Sequence, residues 1–247
     1  MINSISYKGM KVSYRVGTED EKVLNHSFEN DIFFKEVPSF KPGAHPVIID
    51  VGAHIGTFSL LSLIKYPTAS IYAYEPAFEN FQILEKNKTD NRLDRLKIFQ
   101  EAVFGSNGMT NLFHSNKTGN WGHSITKSLS NSFEQVKTTT LESIMAVNKI
   151  GFIDLIKFNC EGSEFTILLN TPHNVIKKIG LGLILYHQDL DNQLGDVNKL
   201  VELFKYLNFR VMMISKGPDR GWLIVWNKRE YSWLYFIRKG LIRRMTG

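Results

Sequence analysis

The chain has 247 residues, of which 43% are hydrophobic and 22% are charged, values typical of a globular protein with a buried core that exclude disordered and collagen-like classes. Cys160 is the single cysteine, so an internal disulfide and a cysteine-clustered zinc site are both excluded. The net charge is +6, and nearly all of it lies after Asn227, where six basic residues stand against one acidic residue; a nucleic-acid-binding surface spread over the chain is therefore poorly supported.

Strand and helix patterns alternate along most of the chain. Short apolar runs predict strands, and apolar residues at helical spacing predict helices. Predicted strands cover residues 47–51, 70–74, 96–103, 152–158, 181–186, 209–214 and 222–226, and predicted helices cover residues 55–66, 77–87, 163–169 and 197–207. The last two strands flank a turn rich in glycine and proline, which predicts an antiparallel hairpin. Because right-handed crossovers join such β/α units, we predict an α/β fold with a mainly parallel, doubly wound sheet of seven strands.

Three other regions frame this alternation. The alternating residues 11–16 and the polar residues 17–22 predict a small hairpin cap, and we place this N-terminal cap at residues 1–44. The main domain then covers residues 45–228, and residues 229–247 form a basic, aromatic tail. Residues 114–132 are rich in Ser, Asn, Thr, Gly and Lys, which predicts a long loop or lid.

The junction after the first strand of the main domain carries the clearest chemistry. Residues 49–56 read IDVGAHIG, with Asp50 at the strand end and Gly52 and Gly56 in the following loop. Ligands of open α/β sheets bind at the carboxyl ends of the strands, where glycines let the backbone approach the ligand. The glycine spacing differs from the G-x-G-x-x-G of a pyrophosphate site. The loop therefore suits a ligand with an amino or hydroxyl donor, for which Asp50 is the acceptor.

A second carboxylate follows the next strand. Glu75 lies 25 residues after Asp50, where α/β nucleotide sites place the acid that accepts hydrogen bonds from the ribose hydroxyls. Pro76 ends the strand and suits the first turn of the next helix. Together, the two carboxylates predict an adenosine-containing ligand without phosphates.

These stretches resemble the first two motifs of class I S-adenosylmethionine-dependent methyltransferases, at residues 50–58 and 74–84. Three later stretches resemble the FkbM-type branch: EAVFG at 101–105, VKTTTLESI at 136–144 and IDLIKFNCEGSE at 153–164. The last is the most specific, since the family usually reads there as a strand ending in lysine, hydrophobe, Asp, hydrophobe and then Glu-Gly-x-Glu. The resemblance covers residues 11–226. It implies a Rossmann-like class I methyltransferase fold.

The resemblance also implies a ligand set. S-adenosylmethionine is the methyl donor, and the acceptor is a hydroxyl, often on a carbohydrate, glycoconjugate or glycosylated metabolite. The loop after the first strand holds the donor, Glu75 the ribose hydroxyls, and the adenine lies near Glu101 and Ala102. The implied donor-binding residues are Asp50, Gly52, Ala53, His54, Gly56, Glu75, Pro76, Glu101 and Ala102.

Two departures from the family pattern bear on the mechanism. Asn159 stands where the fourth-strand motif typically has Asp, and Leu185-Tyr186-His187 stands where the fifth strand commonly ends in Glu, a hydrophobe and His. A hard divalent cation prefers carboxylates among its ligands, so we predict a reaction without a metal ion, with Asn159 kept as a catalytic candidate. The missing acids also favour an alternative, a protein that binds S-adenosylmethionine or acts as a scaffold without catalysis.

Methyl transfer to a hydroxyl needs a base to take the proton. We predict that His187 is this base, because it ends the fifth strand and the ordinary histidine pKa near 6.5 suits the task. The alternative is a structural His187. His54 is expected to shape the donor loop, and Glu161 and Glu164 either assist the reaction or lie in the first turn of the following helix.

The tail is open to more than one interpretation. Aromatic and basic side chains alternate from Tyr231 to Met245, which suits peripheral contact with an anionic membrane. Packing of the aromatic side chains on the domain is an equal alternative, and single-stranded nucleic acid is the least favoured partner.

Residues 1–11 lack the apolar core of a secretion signal, and no run approaches the roughly 18 apolar residues of a membrane span, so we expect a cytoplasmic protein. A nucleic-acid methyltransferase is disfavoured, because the Asn-Pro-Pro-aromatic tetrapeptide of amino-methylating DNA enzymes does not occur.

Overall fold

The computed structural model describes residues 1–37, 40–114, 123–125, 132–188 and 195–229. At the N-terminus, strands β1 (Ile2–Tyr7) and β2 (Met10–Arg15) form a hairpin, followed by helix α1 (Asp20–Leu24) and a π-helical segment (Asn25–Glu29). The elements after this N-terminal segment are, in chain order, β3 (Val47–Val51), α2 (Thr57–Lys65), β4 (Ser70–Tyr74), α3 (Phe78–Asp90), β5 (Leu96–Phe99), β6 (Ala102–Val103), β7 (Gly108–Phe113), β8 (Phe133–Thr139), α4 (Leu141–Val147), β9 (Ile153–Phe158), α5 (Ser163–Asn170), α6 (His173–Ile176), β10 (Ile179–His187), α7 (Val197–Tyr206), β11 (Phe209–Ser215) and β12 (Arg220–Asn227).

Seven of these strands form the central sheet, in the order β11-β12-β10-β9-β3-β4-β5. Strands β5, β4, β3, β9 and β10 pair in parallel, whereas β12 pairs antiparallel with both β10 and β11. The predicted Rossmann-like, mainly parallel sheet with a C-terminal antiparallel hairpin is confirmed. The chain order reverses between β3 and β9, and in open α/β sheets such a reversal opens a crevice at the carboxyl ends of the strands.

Two element boundaries differ from the predicted ones. Gly56 has φ +88°, a left-handed conformation that cannot continue a helix, so α2 begins at Thr57 rather than at Ile55. The N-terminal hairpin forms earlier than predicted, since β1 and β2 turn at Lys8 and Gly9. The polar residues 17–22 lead into α1 instead of forming the turn.

The single strand predicted over residues 96–103 is wrong. β5 ends at Phe99 on the edge of the central sheet, while β6 belongs to a second, three-stranded sheet of order β6-β8-β7. Gln100 and Glu101 separate the two strands, and β6 pairs in parallel with the end of β8. An apolar pattern does not reveal this break, because both strands are partly buried and the pattern reports burial rather than the identity of the partner strand.

Apolar side chains cover both faces of the central sheet. On one face, α5 and α7 contribute Phe165 and Phe204 to the core. On the other, α2 and the N-terminal segment contribute Phe58 and Phe34, whose rings are stacked with centroids 5.7 Å apart. Burial on both faces is the usual state of parallel strands and explains their continuous apolar runs.

Two predicted regions lie largely outside the described residues. Of the predicted lid, the structure describes residues 114, 123–125 and 132, and of the predicted tail it describes Arg229. Within the described residues, no helix combines the length and apolar character needed to span a membrane.

The side chain of Asn87 attaches the N-terminal segment to the main domain. This fully buried amide accepts a hydrogen bond from the backbone N–H of Ser13 (2.6 Å) and donates to the carbonyls of Ser13 (3.1 Å) and Ile55 (2.8 Å). One helical side chain thereby joins β2 to the loop that precedes α2.

We expect Asn87→Ala to lower the free energy of unfolding by roughly 3 kcal/mol or more, because three backbone groups would be left buried without partners at about 1–3 kcal/mol each. Asn91 is the matched control, since it makes the same pair of bonds to the Lys11 backbone at 2.8 and 2.7 Å but is partly exposed. Water can replace its bonds, so Asn91→Ala should cost less than about 1 kcal/mol. Denaturant unfolding of both variants measures the difference; equal losses would contradict the role given to burial.

Candidate active site

A cleft that is open to solvent lies at the carboxyl ends of β3, β4 and β9. Seven of the predicted site residues line it, namely Gly52, Ala53, His54, Glu75, Pro76, Ala102 and Asn159. The structure thus brings together strand ends that are distant in sequence, as expected at the point where the strand order reverses.

The loop after β3 lies directly against the end of β9. Gly52 has φ +73°, and a Cβ at this position would overlap the backbone carbonyl of Asn159. The backbone N–H groups of Gly52 and Ala53 donate to the carbonyl of Tyr74 at 3.0 and 2.9 Å. Gly56 does not line the cleft, and its left-handed conformation instead sets the start of α2. Gly52 is therefore required because the Asn159 carbonyl approaches it closely, and Gly56 is required because α2 begins directly after it.

Asp50 has partners other than the predicted ligand. It is fully buried, accepts a hydrogen bond from Ser59 Oγ (2.7 Å) and forms an ion pair with Lys157 Nζ (3.0 Å). It does not line the cleft, whereas Lys157 does, and Lys157 also donates to the carbonyl of Gly52 (2.7 Å). Direct donor binding by Asp50 stays a prediction that this geometry does not favour. Sequence reasoning missed Lys157 as a site residue, although it belongs to the family-like stretch at 153–164.

Glu75 faces the cleft from the end of β4. Its carboxylate accepts hydrogen bonds from the backbone N–H groups of His54 (2.7 Å) and Ala77 (3.0 Å) and from Asn80 Nδ2 (3.3 Å). Burial raises its pKa, although these three bonds and the nearby Lys157 ammonium oppose the shift. A carboxylate has about four acceptor positions, so capacity remains for a donor in the cleft.

The N-terminal segment supports Glu75 from behind. Arg15 Nη2 donates to Asn80 Oδ1 (2.7 Å), and Asn80 in turn donates to Glu75. Arg15 is itself held by the fully buried Asp20 through its Nε and Nη2, both at 2.8 Å. Val23 and Phe33 of the same segment line the cleft. The contact that joins the segment to the site carried no signal in the sequence, because Arg15 and Asn80 are 65 residues apart and lie in separate elements.

His54 lines the cleft as a neutral side chain. Burial lowers its pKa to about 4, with Arg15 and Lys157 adding to the shift and Asp20 opposing it. Its Nε2 lies 3.4 Å from Asp20 Oδ1, and neither ring nitrogen has a hydrogen-bond partner among the described residues. His54 has φ +54°, a conformation that histidine adopts more readily than most residues, which agrees with the expected role in shaping the loop.

Asn159 and Cys160 follow β9 at the cleft. Asn159 Oδ1 is buried with no hydrogen-bond partner in the described part of the chain, so it is available to a ligand. Cys160 Sγ lies 3.4 Å from Glu164 Oε2, and burial together with this carboxylate raises the thiol pKa well above its usual range. The thiol is therefore neutral and unreactive, since the thiolate is the nucleophilic form.

His187 ends β10 beside two carboxylates. It is 4% exposed, its Nδ1 lies 3.3 Å from Glu164 Oε1, and its Nε2 lies 3.8 Å from Glu161 Oε2. Burial lowers its pKa, but the two carboxylates raise it more, to about 9. At neutral pH the ring is therefore protonated and has no free acceptor, and it is not among the residues that line the cleft. This geometry does not favour the predicted role of His187 as general base.

The two glutamates of the family-like stretch have separate environments. Glu164 is fully buried and accepts hydrogen bonds from the backbone N–H groups of Gly162 (3.1 Å) and His187 (2.6 Å). Glu161 lines the cleft and has φ +51°, a left-handed conformation that is costly for a residue with a side chain. Ser124 Oγ donates to its carbonyl at 2.9 Å. Both oxygens of Glu164 thus have partners inside the fold, whereas Glu161 belongs to the lining of the cleft.

The far end of the cleft is apolar. Ala102 lines it together with Val103, Leu112 and Ile125. Glu101 does not, because it faces Lys137 Nζ at 2.6 Å. The predicted adenine contact of Ala102 therefore has a suitable setting, whereas Glu101 stays a prediction without a place in the cleft. In the described residues, no cluster of three or more His, Cys, Asp or Glu could hold a metal ion.

Comparison with models of known protein families shows the family to which the chain belongs. Residues 50–211, well over half of it, match the family model described as the Methyltransferase FkbM domain. The chain belongs to the FkbM methyltransferase family. The resemblance stated from the sequence is confirmed, and methyltransferase activity is supported for this FkbM-family protein.

Relatives of this FkbM-family protein span a range of similarity. It is 25% identical over 221 residues to the 31-O-demethyl-FK506 methyltransferase FkbM of Streptomyces tacrolimicus, covering 78% of this chain and 84% of the relative. It is 39% identical over 79 residues to Methyltransferase sdnD of Sordaria araneosa, covering 31% of this chain and 30% of the relative. The crystal structure of Methyltransferase FkbM from Methylobacillus flagellatus KT is similar with a TM-score of 0.53 and 18% identity, over 78% of this chain and 46% of that chain. This likeness supports the fold, and the chain spans less than half the length of that structure.

The raised pKa of His187 predicts a pH dependence of stability in this FkbM-family protein. The folded-state pKa is about 9 and the ordinary value is 6.5. Its stabilising contribution is therefore complete below about pH 6.5 and is lost as the pH rises through about 9, by roughly 3 kcal/mol. NMR titration of the His187 ring measures the pKa directly, and Glu161→Gln should lower it. A titration midpoint near 6.5 in the wild-type chain would contradict the pairing.

Proposed function

We propose that this FkbM-family protein transfers a methyl group from S-adenosylmethionine to a hydroxyl of a carbohydrate, glycoconjugate or glycosylated metabolite. The observation that carries the donor assignment is the buried carboxylate of Glu75, which faces the cleft beside the glycine loop with acceptor capacity to spare. The hydroxyl acceptor is supported by the name of the Streptomyces tacrolimicus relative, an O-demethyl-FK506 methyltransferase. The carbohydrate class is the one that the family resemblance implies.

Three features of the cleft fit this donor. A Cβ at Gly52 would overlap the Asn159 carbonyl, so only glycine lets the loop after β3 pack this closely against the end of β9 at the cleft. The one acceptor position left on the Glu75 carboxylate suits a ribose hydroxyl. Asn159 Oδ1, which has no hydrogen-bond partner among the described residues, suits a further polar group. The apolar lining around Ala102 suits the adenine ring. When bound, S-adenosylmethionine supplies an electrophilic methyl group.

The residues of the chain then have to align the acceptor oxygen and remove its proton. We assign proton removal to Glu161, because this residue lines the cleft whereas His187, whose ring is protonated at neutral pH, does not. His187 acts as a positioning residue, since its Nε2 faces Glu161 Oε2 at 3.8 Å and its Nδ1 is held by Glu164. Glu161 would accept the hydroxyl proton as the acceptor oxygen takes the methyl group, and the donor, whose sulfur–methyl bond breaks, would be released as S-adenosylhomocysteine.

Loss of the Glu75 carboxylate should abolish most of the donor affinity. In Glu75→Ala the ribose hydroxyls lose a charged acceptor, and such bonds are worth roughly 1.5–3 kcal/mol each. Calorimetric titration with S-adenosylmethionine measures the effect, and Glu85→Ala on the exposed face of α3 is the matched control. Unchanged affinity in a folded Glu75→Ala variant would overturn the donor site.

Turnover separates an enzyme from a donor-binding scaffold. The wild-type chain should transfer a labelled methyl group to members of a pool of hydroxyl-bearing sugars and glycosylated metabolites. Donor binding without transfer to any acceptor class would favour the inactive alternative, and transfer to oligonucleotides would favour a nucleic-acid methyltransferase. The same assay with a chelator present tests the predicted metal independence.

With an acceptor from that assay, Glu161→Gln should lower the single-turnover rate by about a hundredfold or more, since general base catalysis contributes ~10² to 10⁴. Donor affinity should stay unchanged. His187→Asn should reduce the rate less, because the carboxylate remains. A wild-type rate in Glu161→Gln combined with a large loss in His187→Asn would return the base to His187.

A further inference from the structure

A buried ammonium group stands at one end of the cleft. The Lys157 side chain is 3% exposed, yet it belongs to the cleft lining. Among the described residues that line the cleft, it is the only lysine or arginine. The histidines there, His54 and His123, both have pKa values lowered to about 4, chiefly by burial, and are neutral at pH 7. Lys157 is therefore the positive charge that a bound ligand meets.

The hydrogen-bond inventory of Lys157 is incomplete. An ammonium group has three N–H donors. Asp50 Oδ1 accepts one at 3.0 Å and the Gly52 carbonyl accepts another at 2.7 Å. The rings of Phe33 and Phe58 also lie near Lys157 Nζ, with their centroids 6.0 and 5.9 Å from it, and both residues line the cleft. One N–H has no acceptor in the described part of the chain.

The orientation of the ion pair between Asp50 and Lys157 also makes the ammonium group the one that is available to a ligand. Asp50 is fully buried beneath the loop, and its second oxygen is taken by Ser59. The negative end of the pair therefore faces the sheet, and the positive end faces the cleft. A ligand carboxylate would meet the ammonium first and would complete its third hydrogen bond, which is charge-assisted and therefore strong.

Resting on the proposed donor, we propose that Lys157 binds the carboxylate of the amino-acid portion of S-adenosylmethionine. Glu75 follows β4 and Lys157 lies on β9, with β3 between them. Because Lys157 Nζ reaches the Gly52 carbonyl at the end of β3, the ammonium lies about one strand spacing, roughly 5 Å, from β4. The ribose hydroxyls and the carboxylate of the donor lie at opposite ends of a short chain through C5′, sulfur and three carbons, which spans a gap of this size. Asp50, predicted from the sequence as a donor ligand, then acts through Lys157 as a positioning residue.

Binding of donor analogues tests this assignment without an acceptor. S-adenosylhomocysteine carries the carboxylate, its decarboxylated analogue retains only the amino group, and 5′-methylthioadenosine lacks both. In Lys157→Gln, the affinity for S-adenosylhomocysteine should fall about ten- to a hundredfold, because a charged hydrogen bond is lost. The affinities for the other two probes should change less than about threefold. Lys97→Gln on the exposed side of β5 is the matched control and should change none of the three.

A double variant distinguishes loss of a ligand contact from destabilisation of the fold by an unpaired buried charge. Lys157→Gln leaves Asp50 buried without its cation, whereas Asp50→Asn combined with Lys157→Gln removes both charges. The double variant should show the same selective loss of S-adenosylhomocysteine binding. Asp50→Asn alone keeps the ammonium and should keep the preference for the probe with a carboxylate.

The outcomes distinguish this inference from the proposed function. If neither S-adenosylhomocysteine nor 5′-methylthioadenosine binds the wild-type chain, the proposed donor is wrong. If both bind and Lys157→Gln or the double variant weakens all three probes equally, Lys157 is only structural. If Lys157→Gln keeps the preference for S-adenosylhomocysteine over its decarboxylated analogue while Asp50→Asn weakens both of these probes, Asp50 is the ligand and binds the amino group, as the sequence predicted. Each of the last two results overturns the assignment to Lys157 while the donor site stands.

Discussion

The buried ion pair between Asp50 and Lys157 is the interaction on which the site depends. It joins β3 to β9, the two strands between which the chain order reverses, and the same ammonium holds the Gly52 carbonyl. The side chains are 0% and 3% exposed, and loss of one partner from such a buried pair typically costs about 3–5 kcal/mol. The loop conformation, the strand ends and the cleft between them therefore share one electrostatic contact.

The charged groups of the cleft lie at the ends of different strands of the central sheet. Glu75 stands at the end of β4, the Lys157 ammonium on β9, and the Glu161 carboxylate after β9 beside the protonated His187. The neutral His54 completes the loop without adding charge. A ligand with hydroxyls at one end and an anionic group at the other meets complementary partners in sequence, which orients it before any chemistry begins.

The sheet could be predicted because periodicity reports burial, and the site could be located because the ends of parallel strands meet at one edge. Gly52 and Glu75 were found in this way, whereas Asn159 was found through the resemblance to the family motif. Pairs of side chains that are distant in sequence could not be predicted, since such pairing leaves no periodic signal. Asp50 and Lys157, for example, form an ion pair although they are 107 residues apart. His187 does end its strand as predicted, but its protonation depends on two neighbours that only the folded structure reveals.

The N-terminal segment contributes part of the wall of the cleft. Val23 and Phe33 line it, and Asn87 and Arg15 hold the segment to the main domain. A ligand in the cleft thus contacts two stretches of chain that a boundary at residue 44 would assign to different units. Binding and attachment of the segment are thermodynamically linked, since whatever binds only the assembled form also stabilises the assembly. A chain starting after residue 44 would retain the strands of the central sheet and lose one wall of its own cleft.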